Sequence, residues 1–497
     1  MNTLLPNIDL EKLKGIFTFD PTAPMIFSSG LFLWLFLAFI VIYYALKKAN
    51  TARILFVTLF SYYFYYKSSG TYFFLLALVT ISDYHIAKWI TMYPDKANRK
   101  FFATLSVCVN LGLLAYFKYT NFFAEMLVNF KGGDFEPFDI ILPVGISFFT
   151  FQSLSYTIDV YRGRIKPLTR LLDYAFYVSF FPQLVAGPIV RARDFIPQIH
   201  KPLLVSQEMF GRGVFFIISG LFKKAVISDY IGVNFVERIF DNPQLYSGVE
   251  NLMGIYGYAL QIYCDFSGYS DMAIGIALLL GFRFNINFDS PYQSASITEF
   301  WRRWHISLSS WLKDYLYIPL GGNRHGRIRQ LINLMITMLL GGLWHGDSLN
   351  FIIWGGLHGL ALVLHKIWMD IRKREKGVES KGIMRFFGVI ITFHFVCFTW
   401  IFFRHTSFDE AFNMINQIAT QFKPSVFIQL VTGYWEVFTL MFIGFLLHYM
   451  PKKYENKFSN FIVKTPLLGK AFYIVALIYI VVQIKSSDIQ PFIYFKF

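Results

Sequence analysis

Residues 386–403 read FFGVIITFHFVCFTWIFF, eighteen residues with no Asp, Glu, Lys or Arg. A helix that crosses the ~30 Å hydrocarbon core of a bilayer needs about 20 mostly apolar residues. Comparable runs recur toward both ends of the chain. They cover Leu31–Leu46, Ile54–Tyr66, Tyr72–Ile90, Phe101–Phe117, Ile140–Val160, Tyr174–Ala186, Val214–Ile231, Leu252–Leu280, Leu331–Trp344, Phe351–Ile367, Glu436–His448 and Phe472–Ile484. Several are too short to span unless they are re-entrant or the bilayer thins. The pattern defines an all-α integral membrane protein.

Composition agrees. Of 497 residues, 55% are hydrophobic, 20% aromatic and only 15% charged, whereas soluble chains carry about a quarter charged residues. This excludes an ordinary soluble protein, a disordered chain and a disulfide-rich secreted module. The three cysteines (Cys108, Cys264, Cys397) are odd in number and each lies in an apolar run. They form neither a disulfide framework nor a zinc site, and no histidine pair has the i, i+4 spacing of a helical metal site. No metal is expected.

The net charge of +15 fits basic cytoplasmic loops better than nucleic-acid binding. Lys47, Lys48 and Arg53 follow the first span, and Lys96, Arg99 and Lys100 the third. Further basic clusters lie at Arg162–Arg170, Arg324–Arg329, Lys366–Arg385 and Lys452–Lys457. Their alternation with neutral or acidic loops such as Gly132–Asp139 places both termini outside. The first residues, Met1–Met25, carry Asp9, Glu11 and Asp20 and lack the basic start of a signal peptide. Leu4, Leu5, Ile8 and Leu13 suit an amphipathic surface helix instead.

Ionisable groups in an apolar zone are functional candidates by default. Asp265 and Asp271, with Ser267, Ser270, Tyr263 and Tyr269, interrupt the run 252–280, and Gly268 is expected to break or bend the helix there. The alternative is a polar hinge packed against other helices. A second cluster begins at Ser296, which with Glu299 fits a capping box, and a helix is expected from there to Pro319–Gly322. On one uninterrupted helix Phe300, Trp301, Trp304, Leu308, Trp311, Leu312 and Tyr315 share a stripe. Arg302, Ser309 and Lys313 share another, and His305 falls at the border. A plain interfacial helix would look the same. The third cluster is GGLWHG (341–346), in which glycines beside His345 allow a ligand or another backbone to come close. The adjoining GDSL (346–349) spells an esterase nucleophile block, but it lacks the soluble α/β setting which that chemistry needs.

At these residues the chain resembles the membrane-bound O-acyltransferase family. The matching segments are FFPQLVAGP (180–188), GLFKK (220–224), DFSGYSDMAIG (265–275), FWRRWHISLS (300–309), DYLYIPLGGNR (314–324), GGLWHG (341–346) and WIFFR (400–404). Within the family it is most similar to the bacterial branch that O-acetylates exopolysaccharides such as alginate. The related teichoic-acid D-alanyl transferases usually lack the run at Pro319–Arg324.

The resemblance implies a single membrane domain over residues 1–497, with core motifs in 140–404 and C-terminal helices in 405–497. It implies about eleven transmembrane helices plus re-entrant and interfacial pieces around a central funnel. It assigns catalysis to His345 and His305, with His345 the essential base. Arg302, Arg303, Trp304, Trp344, Asp265 and Ser267 become supporting or donor-binding residues. Imidazole, titrating near pH ~6.5, suits removal of a hydroxyl proton during acyl transfer. No cofactor is permanently bound; the donor is acetyl-CoA or an acyl-carrier thioester. The expected partners are membrane lipid, the thioester donor, a polysaccharide acceptor and a separate extracytoplasmic acetyltransferase protein, with no nucleic acid. The expected location is the bacterial inner membrane. Three readings compete: teichoic-acid D-alanylation, a transporter lined by the polar clusters, and a catalytically dead scaffold of a polysaccharide secretion system.

Overall fold

The computed structural model describes residues 10–373, 380–484 and 492–493, and every regular element among them is helical. Leu4, Leu5 and Ile8 lie outside the described residues; the segment that follows, Leu10–Phe17, is a helix. Helix starts follow local chemistry. Ser29, Asp95 and Ser206 each accept a backbone N–H two or three residues into their helices, which satisfies one of the open donors at a helix N-terminus.

Five segments are long and apolar enough to cross a membrane: Asn50–Met92, Lys96–Phe130, Leu349–Ile371, Gly382–Arg404 and Leu467–Ile484. The pair Val426–Gly433 and Trp435–Tyr449, bent by 90°, makes a sixth candidate. The protein is therefore a multi-pass membrane protein. Other expected crossings fall on helices that are shorter or more polar. Gly30–Ala45 has 16 residues, and Gly248–Leu279 carries Glu250, Asp265 and Asp271.

The described residues divide into two compact units, one reaching Val205 and including Leu280–Arg283, the other formed by Ser206–Leu279 and residues from Phe284 onward. In the first unit, the rings of Phe39, Phe60 and Phe64 surround Phe181 at centroid distances of 5.4, 5.1 and 5.8 Å. The segment 180–188 is buried here, with Gln183 Nε2 donating to the Tyr177 carbonyl at 2.6 Å. The expected helix over Tyr174–Ala186 is interrupted at Phe180, where the backbone turns extended.

In the second unit, the helices Gln207–Leu221 and Gly248–Leu279 cross on glycine. A Cβ placed on Gly220 would lie 2.4 Å from the Gly268 carbonyl oxygen, and one on Gly268 would lie 2.7 Å from that of Gly220. One heptad away, a Cβ on Gly275 would lie 2.6 Å from the Gly213 oxygen. Gly268 does not break its helix, contrary to expectation: Gly248–Leu279 is helical for all 32 residues. Without side chains, both glycines let two backbones touch, as small residues do wherever membrane helices pack tightly. Beyond Leu221 the chain widens into a π-helical stretch, Phe222–Ser228, which contains Lys223 and Lys224. The helices Arg327–His345 and Leu349–Ile371 meet in the same way, since a Cβ on Gly342 would lie 2.2 Å from the Phe351 carbonyl oxygen.

Gly220→Ala is expected to destabilise the protein by about 1–3 kcal/mol through overpacking, read as a lower melting temperature in detergent. Gly341→Ala, whose nearest contact would be Leu312 Cδ1 at 3.4 Å, serves as the comparison. A Gly220→Ala protein that melts with the wild type would mean that this crossing relaxes freely.

Candidate active site

All eight residues singled out in the sequence lie in the second unit. Ser296 caps as expected, its hydroxyl accepting from Glu299 N at 3.2 Å, while Glu299 Oε2 reaches back to the Ala295 amide at 2.9 Å. The helix it starts does not run on to Pro319, however. It ends at Arg303, Trp304 is extended (φ −96°, ψ 128°), His305 is left-handed (φ 43°), and a new helix spans Ile306–Leu312. The single-helix stripes expected from a 100° repeat therefore do not apply across His305.

The break has a partner strand of chain. The connector after Leu279 runs alongside it, with Ile306 N donating to the Asn287 carbonyl and Asp289 N to the Arg303 carbonyl, both at 2.9 Å. These bonds satisfy backbone groups that the interrupted helix leaves open. They offset the ~1–2 kcal/mol that a left-handed non-glycine residue costs.

His305 is fully buried. Phe266 meets its ring edge-on at 4.6 Å, Phe288 lies nearly parallel at 6.3 Å and Trp344 is tilted at 6.2 Å. Its Nδ1 is 3.3 Å from Asn287 Oδ1. His345 ends the helix Arg327–His345 and is 3% exposed. Trp344, Trp354 and Phe403 surround it at 4.9, 5.0 and 5.2 Å. Trp344 is thus shared, since both imidazoles lie within ring-contact distance of the one indole. Trp304, also buried, stacks on Phe300 at 5.6 Å and touches Trp400 at 5.1 Å. The residues 400–404 contribute Trp400 and Phe403 to this lining.

The charged candidates separate into engaged and exposed. Arg303 binds Glu299 Oε1 at 2.9 Å and donates to the Asp289 carbonyl at 3.2 Å. Burial works against the Glu299 carboxylate, but Arg385, the Ala295 amide and Arg303 together hold its pKa below the usual range. Arg302 is exposed. Asp265 is 2% exposed and accepts from Lys224 Nζ at 2.5 Å and from Ile493 N at 2.9 Å. Lys224 also binds Asp229 at 2.7 Å, and the neighbouring Lys223 binds Asp271 at 2.7 Å. The segments 220–224 and 265–275 are thus partners, and Asp265 is committed to a buried ion cluster. Ser267 is buried on the same helix.

Three residues went unnoticed in the sequence. Asn287 is 1% exposed and joins the His305 break to Ser270. His358 is fully buried, its Nδ1 accepting from Trp301 Nε1 at 3.3 Å and its Nε2 bonding Thr399 Oγ1 at 3.0 Å. A Trp N–H can only donate, so Nδ1 holds the lone pair and Nε2 the proton. Trp354 sits between His345 and His358, at 5.0 and 4.7 Å. The LHG around His358 carries the same His-Gly pair as the segment around His345, the one signal that could have drawn attention to it. Among the described residues no group of three or more His, Cys, Asp or Glu is placed to hold a metal ion.

Fold and site together define a multi-pass helical membrane protein with two buried imidazoles in an aromatic lining. The membrane-bound O-acyltransferase family model matches residues 59–408, and the chain belongs to that family and is an acyltransferase. It is 41% identical to a probable alginate O-acetylase, AlgI, of Pseudomonas aeruginosa, over 78% of this chain and 74% of that one. The AlgI of Pseudomonas putida is 36% identical, with 95% of this chain and all of the relative covered. A peptidoglycan O-acetyltransferase of Helicobacter pylori is 37% identical over 79% of each chain.

Lys224→Met is expected to destabilise by about 3–5 kcal/mol, because it leaves buried carboxylates without their cation. Lys224→Met combined with Asp265→Leu should recover part of that loss. Membrane abundance and detergent melting temperature report both, and a single variant as stable as wild type would count against the buried cluster.

Proposed function

We propose that the protein takes an acetyl or similarly short acyl group from a cytoplasmic thioester and passes it across the membrane toward hydroxyls of an extracytoplasmic polysaccharide. The observation that supports this reading best is the contact of both His345 and His305 with the ring of Trp344. In the transfer step His345 removes the acceptor hydroxyl proton as that oxygen attacks the thioester carbonyl. The C–O bond forms, the C–S bond breaks, and the departing thiolate takes up a proton. His305 stabilises the carbonyl oxygen or holds the donor. The surrounding Trp and Phe rings exclude bulk water, which would otherwise hydrolyse the thioester.

Arg302, being exposed, is the residue of its pair suited to attract an anionic donor such as acetyl-CoA or an acyl-carrier thioester. Arg303 serves by fixing Glu299 and the connector. The names of the relatives, which specify alginate and peptidoglycan, support an acetyl group and a glycan acceptor. A separate extracytoplasmic protein then carries the acyl group from the hydroxyl acylated here on to the sugar, and the chain resides in the bacterial inner membrane with both termini outside.

A deletion strain complemented with wild type, His345→Ala or His305→Ala tests the reading. Base catalysis contributes about 10²–10⁴-fold, so His345→Ala, normalised to membrane abundance, should restore less than about one hundredth of the polysaccharide O-acetyl ester. Full restoration by that variant would overturn its catalytic assignment. Loss of D-alanyl rather than acetyl esters in the deletion strain would redirect the acceptor to teichoic acid.

A further inference from the structure

His305 occupies a left-handed backbone position between two short helices, and one side chain grips that break from outside. Asn287 Oδ1 lies 3.1 Å from Ser307 N, 2.9 Å from Ser307 Oγ and 3.3 Å from His305 Nδ1. Its Nδ2 lies 3.2 Å from Ser270 Oγ, on the helix Gly248–Leu279. Its own carbonyl accepts from Ile306 N at 2.9 Å. Asn287 therefore touches residues 305, 306 and 307 in turn and ties all three to Ser270.

The contacts decide which way the carboxamide faces. The Ser307 backbone N–H can only donate, so the atom opposite it is the oxygen, and Nδ2 points to Ser270. His305 Nδ1 faces that oxygen at 3.3 Å and Ser307 Oγ at 3.4 Å, and because the Ser307 hydroxyl donates to Asn287 Oδ1 at the shorter 2.9 Å, both atoms are acceptors toward Nδ1. Nδ1 of His305 is therefore the N–H, and in the neutral ring Nε2 holds the lone pair. A histidine whose second nitrogen is bonded in this way has one tautomer and one ring orientation.

We propose that Asn287 is the positioning residue of His305: it fixes the Nδ1–H tautomer and presents Nε2 as the acceptor nitrogen toward the reacting groups. The proposal rests on the acyltransferase reading and on His305 taking part in it. Asn287 touches no reacting atom and acts only through the imidazole. The role calls for an oxygen acceptor at this position and makes no demand on the amide nitrogen, which separates it from a purely structural staple between two helices. A staple needs both ends, the oxygen on Ser307 and the nitrogen on Ser270.

Two substitutions of nearly equal volume distinguish the roles. Asn287→Asp keeps the oxygen that faces Nδ1, and Asn287→Leu removes it. Each is expressed in the deletion strain beside wild type and His305→Ala, and polysaccharide O-acetyl ester is measured per unit of membrane-inserted protein. Loss of a group that orients a metal-ligating imidazole reduces activity about 10–100-fold, and the same range is expected for an oriented His305. Asn287→Leu is expected to fall in that range and Asn287→Asp to recover to within about threefold of wild type. If His305→Ala is inactive while Asn287→Leu stays within twofold of wild type, the proposal is overturned. It is also overturned if Asp and Leu are equally poor at equal abundance, the result expected of a staple. Should the Leu protein fail to accumulate, Asn287→Ser, whose hydroxyl stops short of Nδ1, takes its place with the same criteria. A wild type that restores no O-acetyl ester overturns the proposed acetyl transfer to polysaccharide and this proposal with it.

Discussion

The arrangement depends on a buried ammonium held between two carboxylates. Lys224 sits with Asp265 at 2.5 Å and Asp229 at 2.7 Å, all within a unit whose surroundings are apolar. An unpaired charge there is strongly disfavoured, so the three groups must stay together. They can meet because Gly220 and Gly268 let the two helices touch backbone to backbone, and because the π-helical stretch after Leu221 turns Lys224 inward. Once Asp265 is fixed, so are its neighbours on the same helix: Phe266, against the His305 ring, and Ser270, beneath Asn287. Through Phe266 and Ser270 the ion cluster helps to set where His305 lies.

The lining around the imidazoles is aromatic for a reason of shape as well as polarity. Rings that meet edge to face at 4.6–5.2 Å fill the space around a histidine without offering it a competing strong acceptor. Polar contacts come from groups able to orient a ring, among them Asn287 and Ser307 at His305 and the Trp301–Thr399 pair at His358. Two buried histidines in contact with one indole give a site with little access for water. Acyl transfer gains from such a site, because hydrolysis of the acyl donor is the competing reaction.

Much of this was legible in the chain. Runs of about 20 apolar residues, the Ser296 cap and the glycines beside His345 are local signals, and each has a structural counterpart. What failed was distant or cooperative. Gly268 was read as a helix breaker because glycine has low intrinsic helix propensity; its role is close approach, visible only once Gly220 lies opposite. Whether Asp265 supports the fold or binds a donor stays open in the sequence, because its ion partner Lys224 is about forty residues away. The helical repeat across His305 assumed an unbroken backbone, whereas hydrogen bonds from the 280–290 connector made the break favourable. Asn287 and His358 escaped because an asparagine in a polar connector and a histidine in an apolar helix are unremarkable until their neighbours are known. The number of crossings was the least legible feature, since the helices that carry polar machinery are also the least hydrophobic.

The left-handed backbone at His305 has a consequence for how this protein can evolve. At φ 43° a side chain larger than hydrogen carries about 1–2 kcal/mol of backbone strain, yet the imidazole of His305 also fills the space between Phe266, Phe288 and Trp344. A glycine would relieve the backbone and leave a hole in the aromatic lining, so the two effects oppose each other. Selection for melting temperature alone therefore has no easy route through this position: each replacement that relaxes the turn loosens the packing around it.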